Sequence, residues 1–493
     1  MKILVVELAR LGDIYQSWPA LRALRRRHPD AQIDVITRPR FQAAFDGLEV
    51  VDRRRIFNTQ ELMGPLFAAN MDVKASFDLV SRVLGEIKFE KYDWIINLSF
   101  SPLSSYITHA VAAESTRVSG YTRTSDGFLA IPDDLSAYFY AQVGFDRPNR
   151  FHLAEIFATM MEMDLIETDW TAPQGLITHS AAPPVLIHIG ASEAKKQIGA
   201  SKWATIINQL TKISDVRIGL IGSAAETENA DSILNSVPAD RVQNYVGKTN
   251  LTELFSLIAG AKLVVGPDSA PMHMASLVRT PCLNLSFHSV NFWETGPRAP
   301  GSYVLRGADE SDFASDKVAH AIHLFFTGEK QDISLIPVQT GTPSYWALTP
   351  PDSDFEWNLV RALYQQADFP ATENPDFRDA ISKLSEINLL VIDQILALQR
   401  GVDLKKLAPI IDRGEEIIQT IGKLVPTIAP LIRWYQTEKI RLEPAPQEVL
   451  VQKSREIHEL LQKVIDLYQE SFGHQSAVIE CVDKKLSKPS EGL

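Results

Sequence analysis

Short apolar, β-rich runs alternate with helix-like segments in two successive blocks of this 493-residue chain, and this alternation constrains the fold most. Continuous runs of this kind, separated by helices, are typical of parallel sheets built from right-handed βαβ units. The runs of the first block lie at 3–6, 33–36, 94–98 and 117–120. Those of the second block lie at 185–189, 217–221, 263–265 and 282–285. The second block should carry helices near 203–212, 226–236, 251–259 and 271–278.

The blocks predict two Rossmann-like, doubly wound α/β lobes, an N-terminal lobe over 1–175 and a second lobe over 183–335. Ligands of such folds bind outside the carboxyl ends of the strands, so we expect a cleft between the two sheets. The stretch 172–184 contains three prolines and little periodicity, which indicates a linker between the lobes.

The chain beyond about residue 340 has a different pattern, with no convincing strand. Apolar residues recur there every three or four positions, as expected of packed antiparallel helices. The sequence predicts an all-α helical bundle of three to five helices over 345–480, followed by a disordered tail. Asn388 falls on the apolar stripe and indicates register control in a helix pair, within the chain or through oligomerisation.

Composition narrows the class of protein. The net charge of −12 argues against nucleic-acid binding, and no apolar run approaches the length of about 20 residues that spans a bilayer. Cys282 and Cys481 are the only cysteines, so neither a disulfide framework nor a cysteine metal cluster is expected. Glu7 interrupts the first apolar run too early for a secretory signal. These features predict a cytoplasmic protein.

A basic stretch lies in the first predicted helix. Residues 1–60 carry 11 Lys and Arg against 7 Asp and Glu. Such a stretch is either a solvated basic face or a landing surface for an anionic acceptor or a membrane. The acceptor-binding candidates are Arg22, Arg25 and Arg26, which would allow peripheral contact with the inner membrane face.

Two acids follow predicted strands and stand at the start of predicted helices. Asp13 would serve as a helix N-cap or as a general base at the mouth of the cleft. Asp268 could combine a cap with donor binding, because the backbone N–H groups of Ser269 and Ala270 begin a helix that suits a diphosphate. His273, one turn further, is either a packing residue or a donor to a phosphate or sugar oxygen.

The loops after two further strands of the second block supply the remaining candidates. Small residues let the backbone approach a phosphate after the strand at 185–189, and they are Gly190, Ala191 and Ser192. Glu226 could accept from ribose hydroxyls or occupy a first helical turn. Lys202, or one of Lys195 and Lys196, could neutralise charge on a leaving diphosphate. The chain lacks the GxGxxG and GxxxxGK[ST] motifs, which disfavours dehydrogenase and P-loop activities.

Together these segments resemble family 9 glycosyltransferases, the ADP-heptose:lipopolysaccharide heptosyltransferases. Residues 2–6, 10–14 and 19–21 are similar to the family's first strand, loop and helix. The stretches 247–254 and 268–275 resemble its most characteristic second-lobe segments. The resemblance extends over roughly 1–320.

The resemblance implies a GT-B architecture and an inverting, metal-independent transfer, with an ADP-sugar as substrate and no cofactor. It makes Asp13 the catalytic base, Lys202 the contact to the donor phosphate, and 268–273 the lining of the donor site. The implied partners are a nucleotide-sugar donor and an anionic glycolipid or glycan acceptor of the lipopolysaccharide type.

This sequence departs from the family at several positions. Lys202 and Trp203 are adjacent, Ala204 stands where proline is usual, and Ala270 stands where glycine is common. Lys195 or Lys196 is therefore an alternative phosphate contact, and the helical extension has no counterpart in compact family members. Two other functions stay open: a catalytically inactive scaffold that assembles through the bundle, and a nucleotide-sugar epimerase of the same architecture.

Overall fold

The computed structural model describes residues 1–171, 175, 177, 182–191, 193–327, 336–337, 355–472 and 478–479. Most of the linker predicted at 172–184 and the whole tail predicted after 480 lie outside these residues. The chain forms two compact units, of which the first comprises Met1–Gly120 and Arg150–Leu348. The second comprises Tyr121–Asn149 and Thr349–Leu493.

Seven strands precede residue 172. They are β1 (Lys2–Val6), β2 (Gln32–Thr37), β3 (Arg53–Ile56), β4 (Trp94–Asn97), β5 (Arg117–Ser119), β6 (Thr122–Arg123) and β7 (Leu129–Ala130). The first five form a parallel sheet in the order β3-β2-β1-β4-β5, in which Val5 lies opposite both Val35 and Ile96. This sheet confirms the parallel α/β fold predicted for the first lobe. The strand β3 was not predicted, because its residues are mostly polar.

Six helices accompany these strands. They are α1 (Leu11–Arg27), α2 (Thr59–Met63), α3 (Val73–Phe89), α4 (Pro102–Val111), α5 (Asp134–Gln142) and α6 (Leu153–Met160). Short side chains fix several starts: Asp72 accepts the Ala75 N–H at 2.8 Å before α3, and Asp133 accepts the Ser136 N–H at 2.8 Å before α5.

The second lobe is built in the same way, with seven strands. They are β8 (Val185–His188), β9 (Ile218–Ile221), β10 (Val242–Asn244), β11 (Leu263–Pro267), β12 (Cys282–Phe287), β13 (Tyr303–Gly307) and β14 (Ile336–Pro337). The sheet order is β10-β9-β8-β11-β12-β13-β14, and only β14 runs antiparallel to its neighbour. The order of strands around β8 repeats the order around β1, which is that of a dinucleotide-binding sheet.

The helices of the second lobe confirm the four predicted ones and add two. They are α7 (Ala200–Ile213), α8 (Thr227–Leu234), α9 (Leu251–Gly260), α10 (Ala270–Leu277), α11 (Phe292–Thr295) and α12 (Ser315–Thr327). In both lobes the central strand, β1 or β8, separates the two directions of winding. The loop after it therefore opens at the switch point where such sheets bind ligands.

Helix α1 of the first lobe packs directly on the second lobe. The ring of Tyr15 meets that of Phe255 edge-on at 5.2 Å between centroids, and Trp18 stacks on the same ring at 5.8 Å. All three side chains are buried. These apolar contacts place the amino end of α1 against the loops that follow β8 and β11.

Among the described residues beyond 354 the helical unit has five helices, within the predicted three to five. They are α13 (Phe355–Gln365), α14 (Pro375–Gln399), α15 (Leu404–Leu424), α16 (Ala429–Ile440) and α17 (Gln447–Ser471). The predicted stripes are buried along α14 and α17. A two-stranded sheet of β15 (Phe369–Pro370) and β16 (Val478–Ile479) was not predicted.

Asn388 links α14 to α17, which is consistent with the predicted register control within the chain. It is fully buried, and its Nδ2 donates to the His458 carbonyl and to Gln462 Oε1, each at 2.9 Å. A buried amide of this kind fixes one register of two helices. Its partners lie within the chain, and oligomerisation through the bundle stays a prediction.

The segment 121–149, which the sequence assigned to the first lobe, clusters instead with these helices. Gln142 Nε2 donates to the Pro430 carbonyl at 3.0 Å, and the Tyr138 ring meets that of Tyr364 edge-on at 5.1 Å. The reason is long-range packing between α5 and α16, which the local pattern of the sequence does not encode.

Candidate functional site

Asp13 lies in the first turn of α1 and does not precede the helix as predicted. The helix begins at Leu11, and Asp13 Oδ2 accepts the Arg10 N–H at 3.1 Å. Burial raises the pKa of Asp13, while the Arg10 N–H and the charges of Arg10 and Lys196 lower it. The carboxylate thus caps α1 from within its first turn. It also interacts electrostatically with Lys196, a lysine of the other lobe.

Lys196 is the cation that the second lobe brings to the acids. It ends the short 3-10 turn Ala194–Lys196 after β8, and its Nζ lies 4.0 Å from Asp268 Oδ2. Both side chains are largely buried, with 15% and 10% of their surfaces exposed. Since an ion pair is screened less when it is buried, this lysine acts strongly on its neighbours.

Asp268 follows β11 and is enclosed by the same groups. Burial raises its pKa to about 6, against the lowering effects of Lys196 and a hydrogen bond from Thr295. The nearby charge of Asp13 raises the pKa further. Its Oδ1 atom is buried and has no hydrogen-bond partner among the described residues. A buried acceptor without a partner is costly, so this oxygen is suited to a ligand donor.

His273 lies on α10, where it meets the start of α1. Gln16 Nε2 donates to His273 Nε2 at 3.1 Å, and a Cβ atom added to Gly12 would lie 3.0 Å from His273 Cδ2. Burial, with a contribution from Lys196, lowers the pKa of His273 to about 3. The ring is therefore neutral near pH 7 and can donate one hydrogen bond through Nδ1.

Lys202 and Lys195 act on other acids. Lys202 is on α7, where its charge lowers the pKa of Asp309 after the side-chain and backbone hydrogen bonds of Ser311. Lys195 is mostly exposed and pairs with Glu193 at 3.2 Å. Of the three lysines that the sequence offered, Lys196 is the one that the structure places beside Asp13, Asp268 and His273.

The other donor candidates lie in the loops after β8 and β9. A Cβ atom at Gly190 would lie 2.9 Å from Glu226 Cδ, so glycine is what allows this carboxylate to approach the strand end. Glu226 Oε2 accepts from the Ser223 backbone N–H at 2.6 Å and from its hydroxyl at 2.7 Å. Ala191 follows Gly190, and Ser192 lies outside the described residues.

Ser269 and Ala270 begin α10, as predicted. Ser269 is the N-cap residue, and its hydroxyl donates to the Pro267 carbonyl at 3.0 Å. The Ala270 nitrogen lies 3.8 Å from the Cβ position of Gly12. The amino end of α10 is therefore directed at the first turn of α1.

The three arginines predicted to bind an acceptor have partners within the first lobe. Arg22 is buried, donates to the Thr171 carbonyl at 2.6 Å and lies 3.4 Å from Glu49. Arg25 pairs with Asp52 at 2.6 Å, and Arg26 pairs with Asp169 at 2.9 Å. These bonds give the arginines a structural role that the sequence did not indicate, and their contact with an acceptor stays a prediction.

Glu7 is a buried acid beside the site that the sequence search passed over. It follows β1 directly, it is fully buried, and its Oε1 accepts the Ala9 N–H at 3.1 Å. Burial and then the charge of Asp13 raise the pKa of Glu7 to about 8, although the Ala9 N–H and Ser99 lower it. The signal was an acid ending an apolar strand, which the sequence analysis used only against a signal peptide.

Among the described residues, no three or more His, Cys, Asp or Glu side chains are arranged to hold a metal ion. No helix in the same part of the chain is both long and apolar enough to cross a membrane.

Comparison with known proteins agrees with this architecture. Residues 80–312 match the sequence model of glycosyltransferase family 9 (heptosyltransferase). Lipopolysaccharide heptosyltransferase 3 of Escherichia coli strain K12 is 24% identical over 56% of this chain and 79% of its own length. Lipopolysaccharide heptosyltransferase 1 of Campylobacter coli is 22% identical over 58% of this chain and 83% of its own length.

A solved structure shows the same fold. The glycosyltransferase family 9 protein of Veillonella parvula DSM 2008 aligns with a TM-score of 0.50 at 17% identity. The alignment covers 66% of this chain and 98% of that chain. The two α/β lobes thus have the GT-B architecture, and residues 80–312 are similar to glycosyltransferase family 9 (heptosyltransferase).

Proposed function

We propose that this protein transfers a sugar from a nucleotide-sugar donor to a lipopolysaccharide-type glycan acceptor. The proposed donor is ADP-heptose, and the proposed sugar is heptose. The observation that carries the proposal is the meeting of Asp13 with Lys196, Asp268 and His273 where the two lobes touch. A base, a cation and a helix amino end are the groups that sugar transfer from a diphosphate requires. The names of the heptosyltransferase relatives support the choice of donor and acceptor.

Asp13 acts as the general base in this proposal. Its oxygen accepts the proton of the acceptor hydroxyl, whose oxygen forms a bond to the anomeric carbon as the bond from that carbon to the diphosphate breaks. The nucleoside diphosphate leaves with the electron pair of the broken bond. A single displacement of this kind inverts the anomeric configuration. The raised pKa of Asp13 makes its carboxylate a stronger base, because the pKa of a general base works best near the operating pH.

Lys196 and the amino end of α10 receive the leaving group. The lysine charge and the first N–H groups of the helix, at Ser269 and Ala270, offset the negative charge that grows on the diphosphate. This assignment replaces Lys202 by Lys196, which lies 4.0 Å from Asp268. Glu226, next to Gly190, is placed to accept from ribose hydroxyls with the oxygen that Ser223 does not occupy.

Two neutral side chains, Glu7 and His273, limit the charge of the site to Asp13, Asp268 and Lys196. With a pKa of about 8, Glu7 is protonated near neutral pH and adds no further negative charge beside the base. His273, with a pKa of about 3, is neutral and can donate to a sugar or phosphate oxygen without repelling Lys196. We propose that the transfer needs neither a metal nor a cofactor and that it takes place in the cytoplasm, at the inner membrane face.

The test is incubation of the full chain with ADP-heptose or other nucleotide sugars and a lipopolysaccharide-type acceptor. We expect nucleotide release with ADP-heptose and a glycoside whose anomeric configuration, read by NMR, is the inverse of the donor's. Retained configuration would contradict direct displacement. Failure to bind any nucleotide sugar would favour the scaffold function, and free sugar epimer in place of glycoside would indicate an epimerase.

A further inference from the structure

The helical unit contains an open cavity of its own. Its volume is about 850 Å³, which is within the usual range for small-molecule sites. The walls come from α5 and the loop after it, from the second half of α15, and from α16. All of these segments belong to the second compact unit, so the cavity is separate from the cleft described above.

Basic side chains dominate the described lining. Arg147, Lys423, Arg433 and Lys439 face one acid, Glu415. Glu415 is already engaged: it accepts from the Tyr435 hydroxyl at 2.7 Å, it pairs closely with Lys439, and His458 Nε2 lies 3.2 Å away. Burial would raise the pKa of Glu415, yet the bonds from His458, Lys439 and Tyr435 hold it at about 2. The acid and Lys439 thus compensate each other.

Arg433 is the cation of the cavity that has a buried nitrogen, Nε, without a hydrogen bond among the described residues. Burial and then repulsion from Arg147 lower its pKa to about 10, although Glu356 and Asp146 act in the opposite direction. The pKa of Arg433 stays lowered in spite of these two acids, so a further anion in the cavity would stabilise its charge.

We propose that this cavity binds a phosphate-bearing ligand between Arg433, Arg147 and Lys423. Guanidinium groups match phosphate oxygens with paired hydrogen bonds, and a lysine adds a mobile point charge. Ala429, Ile432 and Ile440 line the rest of the cavity and would cover the carbon skeleton of the ligand. The phosphate could come from a soluble sugar phosphate or from a lipid headgroup. The proposal does not depend on the transferase function of the other unit.

Hydrogen–deuterium exchange on the full chain tests the proposal and locates the binding. One arm titrates inorganic pyrophosphate, and the other uses phosphatidylcholine vesicles that contain phosphatidic acid. We expect slower exchange in peptides of α15 and α16. Arg433→Met and Lys423→Met should each raise the dissociation constant by about tenfold or more, because each removes a charge-assisted contact.

Arg413→Met is the matched control. It removes an exposed guanidinium from α15, the helix of Lys423, at a position outside the cavity. It should bind as the unaltered chain does. Protection by pyrophosphate assigns a soluble ligand, and protection by vesicles alone assigns a headgroup. If Arg433→Met does not fold, the affinity of Lys423→Met tests the proposal, because Lys423 is exposed and its replacement should leave the fold intact. Absence of protection in both arms, or equal affinity in Lys423→Met, would overturn the proposal.

Discussion

Burial sets the protonation of the side chains that meet at the start of α1. It raises the pKa of Glu7 to about 8 and that of Asp268 to about 6, and it lowers that of His273 to about 3. Lys196 acts against burial at both Asp13 and Asp268. One lysine therefore helps to keep two buried carboxyls ionised, which is a condition for a working base.

Replacing Lys196 by methionine should lower turnover by about 10²–10³-fold, since a preorganised charge near the leaving group is lost. The acidic limb of the pH–rate profile should also move to higher pH, because removal of a positive charge raises the pKa of Asp13. Lys202→Met is the matched control and should change neither quantity strongly. A larger loss in Lys202→Met than in Lys196→Met would restore the phosphate contact that the sequence predicted.

Glu7→Gln should remove a pH-dependent loss of stability. The folded-state pKa of about 8 lies above the ordinary value of 4.5, so the folded chain holds a proton that the unfolded chain releases. Stability then falls by about 1.4 kcal/mol per pH unit between those two values. We expect melting temperatures of the variant and the unaltered chain to agree at about pH 5 and the variant to be the more stable at about pH 8. A difference that is constant with pH would contradict the raised pKa.

At the scale of elements, the approach of α1 to α10 depends on Gly12. A methyl group there would meet His273 Cδ2 at 3.0 Å and Nε2 at 3.3 Å, which is tighter than ordinary contacts. The neighbouring Gln16–His273 hydrogen bond leaves the ring little freedom to move away. Glycine thus allows the first turn of α1, which carries Asp13, to approach α10 closely.

Gly12→Ala should weaken nucleotide-sugar binding by about tenfold or more, because it displaces His273 from its bond with Gln16. Gly85→Ala in α3 is the control, since no atom lies within 4 Å of its added Cβ. The control should bind normally and gain about 0.5–1 kcal/mol of stability. Calorimetric titration with ADP-heptose measures the binding, and equal affinities in the two variants would contradict the close approach.

The sequence predicted the elements well where the pattern was local. Four strands of each sheet were predicted, while β3, β10, β13 and β14 were not. Asp13, Asp268 and His273 were found because each follows a strand or begins a helix. Lys196 was found only as an alternative, since its position depends on the 3-10 turn after β8 and on the approach of the other lobe. Glu7 was missed because its raised pKa arises from burial and from Asp13, which are properties of the folded chain.

Long-range packing explains the remaining differences. The arginines of α1 resemble a basic surface in the sequence, yet Arg22, Arg25 and Arg26 find acids and carbonyls that are distant along the chain. The polar strand β3 is held by its pairing with β2, without an apolar run of its own.

For the whole molecule, the important feature is that the helical unit includes residues from the middle of the chain. Helix α5 contributes buried Ala137, Tyr138 and Ala141 to it, and Asp134 pairs with Arg441 at 2.6 Å. The helical region is therefore not a simple appendage after residue 348.

A chain that ends at Leu348 should aggregate or lose residues 121–149 to proteolysis, since the apolar face of α5 would be exposed. A chain that ends at residue 480 keeps all five helices and should behave as the full chain does. Size-exclusion chromatography and limited proteolysis distinguish these outcomes. A monomeric, protease-resistant chain of 348 residues would contradict the division into units.

The central claim is that Asp13 is the base of a nucleotide-sugar-dependent transfer. The most direct measurement is the initial rate of ADP release from ADP-heptose in the presence of acceptor, for the unaltered chain, Asp13→Asn and Asp72→Asn. Asp72 is an exposed acid that caps α3, so its variant controls for loss of a helix cap. We predict that Asp13→Asn lowers kcat by about 10²–10⁴-fold while donor affinity is retained, and that Asp72→Asn keeps its rate. An Asp13→Asn rate equal to that of Asp72→Asn would contradict the claim.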